Sequence, residues 1–247
     1  MQHLSIAIVV VWVLRRVWVA GQKHLQIQCV SKAGKHWQKG AAHHCWVLFS
    51  TSPGYRQRRY GGQYIDIGEQ KDKEKVLEYQ ATHDNLTGLP NRLLLLDRIE
   101  HAITKVVRHK IVGGLIFIDL DNFKTVNDTL GHDIGDALLI MVSKTIKEVI
   151  RDEDTIARIG GDEFIVLLDN IGNDKDIAKV NINNLAEKIK NALNDITHIE
   201  GHVNVSSPSI GITLFSDASV SVKDIIKQAD TAMYVAKKQG KNAIEFF

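Results

Sequence analysis

The sequence predicts a mixed α/β domain with a central sheet, preceded by a segment of different composition. Three observations carry this. Apolar runs of strand length alternate with stretches of helical spacing from about residue 91 onward. The chain has 247 residues, enough for one large domain or an ordinary domain plus an extra segment. Hydrophobic residues at 44% and charged residues at 24% are ordinary for a soluble globular protein, which excludes a wholly disordered, collagen-like or disulfide-stapled chain.

The net charge of +2 conceals a split. Residues 1–65 contain no Asp or Glu and nine basic residues, so this segment carries +9. The remainder holds 22 basic and 29 acidic residues, a net of −7. All four Trp and both Cys precede residue 66. Two cysteines make no disulfide framework. The basic segment lacks the helical periodicity that would gather its charges on one face for nucleic acid or anionic lipid.

Leu4 to Leu14 is apolar and ends at Arg15 and Arg16. It is too short to span a bilayer, and its charges follow the apolar run where a signal peptide would place them before it. It reads as a buried β-rich segment, and membrane association is not expected. Residues 21–64 show no sustained period. Ser50, Ser52, Pro53 and Gly54 read as a turn, and Gly61-Gly62 as another. His43, His44 and Cys45 are adjacent, a poor spacing for joint metal ligation.

Lys71 to Gln80 reads as a charged connecting helix, and Asp84 to Arg92 (DNLTGLPNR) as a turn. Asn91 can cap the helix that follows, with Leu96, Ile99, Ile103 and Val106 as its apolar stripe. Ile111 to Leu120 is a continuous apolar strand. Leu138, Val142, Ile146 and Val149 mark a second helix. Thr155 to Ile159 and Phe164 to Leu168 are strands joined by Gly160-Gly161-Asp162-Glu163, a hairpin signal. Ile177 to Leu193 is a third helix. Val203 to Phe215 is strand-like with a break near Pro208. Ser221 and Asp224 form a capping-box-like start for a helix carrying Ile225, Ala229, Met233 and Ala236. Ala243 to Phe246 closes the domain as a strand.

Three acidic clusters stand out: Asp119 with Asp121, Asp162 with Glu163, and Asp128 with Asp133 and Asp136. A carboxylate near the end of a buried strand costs free energy unless it is paired or metal-bound. The glycines beside Asp162 permit positive φ or close approach of a ligand. If the strand bearing Asp119 lies beside the hairpin, Asp119, Asp162 and Glu163 converge at one end of the sheet. Hard oxygen ligands of that kind suit Mg²⁺ or Mn²⁺. A lone Asp-Glu at a hairpin tip is usually solvated surface, and each cluster alone is a weak signal.

The run GGDEF at Gly160 to Phe164, with DLDNFKTVND at Asp119 to Asp128 and GHDIGD at Gly131 to Asp136, resembles the GGDEF family of diguanylate cyclases. Asp84 to Arg92 matches that family's opening motif. Ala236, Lys237, Gly240, Lys241 and Asn242 match its closing motif. The resemblance covers residues 82–247. It implies a ferredoxin-like palm similar to nucleotide cyclases and polymerase palms, with a mostly antiparallel central sheet of five strands flanked by helices. It also implies condensation of two GTP into cyclic di-GMP across a homodimer, with release of two pyrophosphates, and GTP as substrate implies the cytoplasm.

On that resemblance Asp119, Asp162 and Glu163 are catalytic and hold one or two divalent metals, with the carbonyl of Leu120 a further ligand. Asn127 and Asp136 match guanine-reading positions. Lys124, Lys237 and Lys241 match phosphate-contacting positions, and Gly160 and Gly161 line the substrate. Lys241 stands where the family usually has Arg, exchanging a bidentate fork for a point charge. Arg151 and Asp154 match an RxxD inhibitory site for cyclic di-GMP, although the same residues also read as a charged loop.

Tyr64 to Lys71 resembles the exit of a PAS sensor domain, with Gly68 in place of the usual Thr, and Trp46 to Pro53 resembles an earlier PAS strand. The expected organisation is a truncated, diverged or frame-disrupted sensor at 1–65, a coupling helix at 66–81 and the cyclase domain at 82–247. The competing reading is a GGDEF fold without turnover that binds GTP or cyclic di-GMP and signals by contact. Nucleic acid is not an expected partner, because no groove-binding motif accompanies the basic segment.

Overall fold

The computed structural model describes residues 26–31, 43–50, 58–64 and 76–247. The chain divides into two units, Met1–Lys75 and Val76–Phe247. In the first, β1 (Gln26–Ser31), β2 (His43–Ser50) and β3 (Arg58–Tyr64) form an antiparallel sheet in that order. Gly61 and Gly62, read from sequence as a turn, lie within β3 opposite Trp46 and Cys45. The apolar run at residues 4–14 and the turn at residues 51–54 fall outside the described residues.

The second unit opens with helical residues 76–82, the described part of the connecting helix. There follow α1 (Arg92–His109), β4 (Val112–Asp121), α2 (Phe123–Leu130), α3 (His132–Val149), β5 (Thr155–Gly160) and β6 (Glu163–Gly172). Then come α4 (Lys175–Asn194), a small hairpin of β7 (His198–Ile199) and β8 (His202–Val203), β9 (Ser207–Phe215), α5 (Val222–Lys238) and β10 (Ile244–Phe246). The five-stranded sheet runs β10-β9-β4-β6-β5, antiparallel except for the β9–β10 pair. It is a mixed central sheet flanked by helices, as expected.

The helix starts follow from their caps. Asn91 accepts hydrogen bonds from the backbone N–H groups of Leu93 and Leu94 at the head of α1. Ser221 accepts from the Asp224 N–H and donates to its carboxylate at the head of α5. Along α1 the buried stripe is Leu95, Ile99, Ala102 and Val106, whereas Leu96 and Ile103 of the expected stripe are only partly buried, Ile103 packing against the edge of that core.

β4 is buried along its whole length, and its parity organises the site. Ile116, Ile118 and Leu120 join the core under α2, α3 and α4, whereas Leu115 and Phe117 join the core under α1 and α5. Asp119 and Asp121 continue the second set, so they sit on the α5 face.

The strand break expected at Pro208 falls instead at residues 204–206, and Pro208 lies inside β9 opposite Leu120. The Ile210 N–H donates toward β10, to the Ala243 carbonyl. By strand alternation the Pro208 nitrogen faces the same side, beyond the end of β10, so its missing N–H breaks no ladder.

Among the described residues no helix is long and apolar enough to cross a membrane.

Candidate active site

The antiparallel register of β4 and β6 sets Asp119 directly opposite Glu163. Cross-strand partners share a face, and Ile165 and Leu167 of β6 lie in the α5-side core. Both carboxylates therefore face α5. Asp162 follows Gly161 in the two-residue connection from β5 to β6, and Gly161 takes φ +48°, where a side chain would be strained. The Leu120 N–H approaches the Asp162 carbonyl at 3.4 Å, linking the turn to the end of β4.

The electrostatics match this crowding. Burial raises the Asp119 carboxyl above its ordinary value, with the charges of Asp162 and Asp121 adding to it and Lys237 opposing. Burial likewise raises Glu163, joined by the charges of Asp119, Asp162 and Asp230. Lys237 on α5 places Nζ 2.5 Å from Asp119 Oδ1. The contact is a short ion pair, and the buried Oδ1 has no other partner among the described residues.

Among the described residues no three His, Cys, Asp or Glu side chains stand in joint metal-ligating position. The donor set nevertheless fits a hard divalent cation. Two carboxylates face each other, a third adjoins them, and one buried oxygen has a single lysine ammonium as its partner.

Asp121 has the opposite character. Its carboxylate accepts hydrogen bonds from Ser207 Oγ at 2.9 Å, Ser209 Oγ at 2.9 Å and the Asn242 backbone N–H at 3.1 Å. These tie the end of β4 to β9 and to the loop after α5. In that loop Lys241 and Asn242 both take positive φ, and Lys241 Nζ donates to Asn122 Oδ1 at 2.8 Å.

Asn127 on α2 and Asp136 on α3 sit where those helices meet. Asn127 Oδ1 is buried without a hydrogen-bond partner, and Asp136 is exposed. A Cβ at Gly135 would stand 1.9 Å from Asn127 Oδ1, so only glycine lets that amide rest against α3. Lys124 on α2 is exposed, as are Asp128 and Asp133.

At the other end of β5, the Arg151 N–H donates to Asp154 Oδ2 at 3.1 Å, and the Arg151 guanidinium reaches Glu153 across solvent. Burial raises the Asp154 carboxyl, against the hydrogen bond from Arg151.

Sequence reading attached no chemistry to Arg158. Its NH1 donates to both oxygens of Asp84 at 3.0 Å, and its Nε and NH2 donate to the Gly161 carbonyl at 2.9 and 2.7 Å. Asp84 also accepts from the Thr87 N–H and hydroxyl. Burial works to raise the Asp84 carboxyl, but these hydrogen bonds and the Arg158 charge outweigh it and hold it below its ordinary value. The opening motif is thereby fastened to the Gly161–Asp162 turn. A charged residue two positions before the glycine pair was the only local signal.

Comparison with known proteins places the chain in a family. The chain is 44% identical over 167 residues to the bifunctional diguanylate cyclase/cyclic di-GMP phosphodiesterase MucR of Pseudomonas aeruginosa, spanning 68% of this chain and 24% of that one. It is 35% identical over 173 residues to the diguanylate cyclase TpbB of the same species, spanning 70% of this chain and 39% of that one. The chain thus covers less than half the length of these relatives. The solved GGDEF domain of TpbB from P. aeruginosa superposes with a TM-score of 0.61 at 33% identity, covering 66% of this chain and 93% of that domain. A family model described as "Diguanylate cyclase, GGDEF domain" matches residues 81–243, and the chain belongs to that family.

Proposed function

We propose that this chain is a diguanylate cyclase, condensing two GTP into cyclic di-GMP with release of two pyrophosphates. The observation that carries the reading is the pairing of Asp119 with Glu163 across the β4–β6 ladder, with Asp162 on the adjoining turn. Asp119, Asp162 and Glu163, with the Leu120 carbonyl, would hold one or two Mg²⁺ or Mn²⁺ ions. Such a bound cation supplies Lewis acidity, lowering the pKa of the attacking 3′-hydroxyl and offsetting charge at the α-phosphate and leaving group.

The remaining residues bind and orient. Asp136 accepts from the ring N–H and exocyclic amine of guanine, a donor pair that adenine lacks. Asn127 brings the unpartnered Oδ1 to the same edge. Lys124, Lys237 and Lys241 meet the phosphates, and Gly160 and Gly161 leave room for them. Each subunit binds one GTP, and two subunits face each other across a two-fold axis so that each nucleotide attacks the other. GTP as substrate places the reaction in the cytoplasm.

Arg151 and Asp154 form an inhibitory site for the product. Arg151 grips a phosphate or a guanine edge, and Asp154 accepts from guanine. An Arg151→Ala variant is expected to lose product inhibition, and unchanged inhibition would sink this site. Residues 1–65 are read as a diverged or frame-disrupted PAS-like sensor that leads into the coupling helix.

Incubating the purified protein with GTP and Mg²⁺ tests the reading. Cyclic di-GMP and pyrophosphate are the expected products. Nucleotide binding without product would favour a GGDEF fold that signals by contact.

A further inference from the structure

Lys237 makes a contact that phosphate binding does not require. α5 covers the sheet face that carries Asp119 and Glu163, and it brings Lys237 to the end of β4. The two partners differ in their surroundings. The Lys237 side chain is 31% exposed, and the Asp119 side chain is 8% exposed. The lysine can swing its ammonium into water on a flexible stem. The carboxylate cannot leave the strand end. Asp119 also faces Glu163 across the ladder, with Asp162 and Asp121 nearby, so without a cation it would be a buried charge among like charges.

We propose that Lys237 is the resident counter-cation of the metal-free site. It holds Asp119 until a divalent cation takes its place, and its ammonium is then released to a nucleotide phosphate. The inference rests on the reading of Asp119 as a metal ligand.

Charge sets the two occupants against each other. A cation of the Mg²⁺ class binds carboxylate oxygen at about 2.0–2.1 Å. An ammonium 2.5 Å from Oδ1 would hold a second positive charge close beside it, so the two repel even though the carboxylate has lone pairs for both. Lys237 and the metal therefore compete for one carboxylate. Release of Lys237 also couples metal binding to phosphate binding, because a lysine displaced from Asp119 is free to serve the phosphate. By linkage the coupling is reciprocal. Asp119 keeps a counter-charge while the site is empty, and the lysine is delivered when the metal arrives.

The test uses the whole chain without nucleotide, with Mn²⁺ as the probe and its free concentration read by electron paramagnetic resonance. Lys237→Met is expected to bind Mn²⁺ on the order of tenfold more tightly than wild type, because a competing charge is gone. Lys237→Arg keeps the charge and should stay near wild type. Unchanged or weaker binding in Lys237→Met overturns the proposal, as does absence of Mn²⁺ binding in every variant.

A second measurement needs no variant to gain affinity. In wild type, the lysine side-chain NMR signal that is missing from Lys237→Met should shift as Mg²⁺ is added, and in Asp119→Asn it should not. A signal that ignores Mg²⁺ in wild type overturns the proposal. Because no nucleotide is present, these outcomes stand apart from the cyclase reading, which is judged by product formation from GTP.

Discussion

Two carboxylates stand two residues apart on β4, both buried and both on the α5 face, yet their surroundings differ in kind. Asp121 accepts from two serine hydroxyls and a backbone N–H, and it fastens the loop that carries Lys241 and Asn242. Asp119 meets Glu163 across the ladder, a second raised carboxyl, and a single lysine ammonium compensates it. A buried acid supplied with several directed donors belongs to the architecture. A buried acid left short of donors beside other acids is available for a cation. Burial does not separate the two, since both are almost wholly enclosed. Partner supply does.

Neutralising each acid in turn sharpens this contrast. Asp119→Asn should cost turnover on the order of a hundredfold or more, through lost metal binding. Its melting temperature without divalent metal should stay close to wild type, because the substitution also relieves repulsion with Glu163. Asp121→Asn should instead cost about 1–3 kcal/mol of stability, because one amide cannot accept all the bonds the carboxylate took. Chemical denaturation followed beside product formation distinguishes the two. Equal stability losses in both variants would break the comparison.

A smaller effect is expected at Gly135. Alanine there favours the helix by about 1 kcal/mol, but its Cβ would collide with Asn127 Oδ1 and turn that amide away. Gly135→Ala should be as stable as wild type or slightly more so, with GTP bound roughly three- to tenfold more weakly. Isothermal titration with GTP, alongside melting, reads both quantities. Unchanged GTP affinity would remove Asn127 from the guanine site.

The smallest effect concerns Asp84, whose carboxyl is held low by Thr87 and Arg158. Its stabilisation is complete above the unfolded pKa of about 3.9 and is lost as pH falls through the lower folded value. Acid unfolding of wild type should therefore include this component, and Asp84→Asn should lose stability at neutral pH and show a shallower acid dependence. Parallel acid profiles would deny Asp84 that role.

The ordered motifs made the acid pair and the turn legible in the sequence, and the caps at Asn91 and Ser221 were legible from local chemistry alone. The missed features have physical reasons. α2 is short and rich in Thr, Asn and Asp, residues of low helix propensity, so no period announces it. Four consecutive leucines, Leu93 to Leu96, blur the phase of α1, and the packing selects Leu95. Pro208 was read as a breaker because its neighbours in the sheet were unknown. The Arg158–Asp84 tie and the Lys237–Asp119 pair join residues far apart in sequence, and no local pattern encodes them. The acid-free segment at 1–65 stands out by its charge, whereas the family match at 81–243 lies in the acidic remainder.

The decisive measurement compares wild type and Glu163→Gln for cyclic di-GMP formed from GTP, with and without Mg²⁺. A metal site built on the Asp119–Glu163 pair gives product in wild type only with Mg²⁺, and little or none in a folded Glu163→Gln. Equal product from both proteins, or product that ignores Mg²⁺, would contradict it.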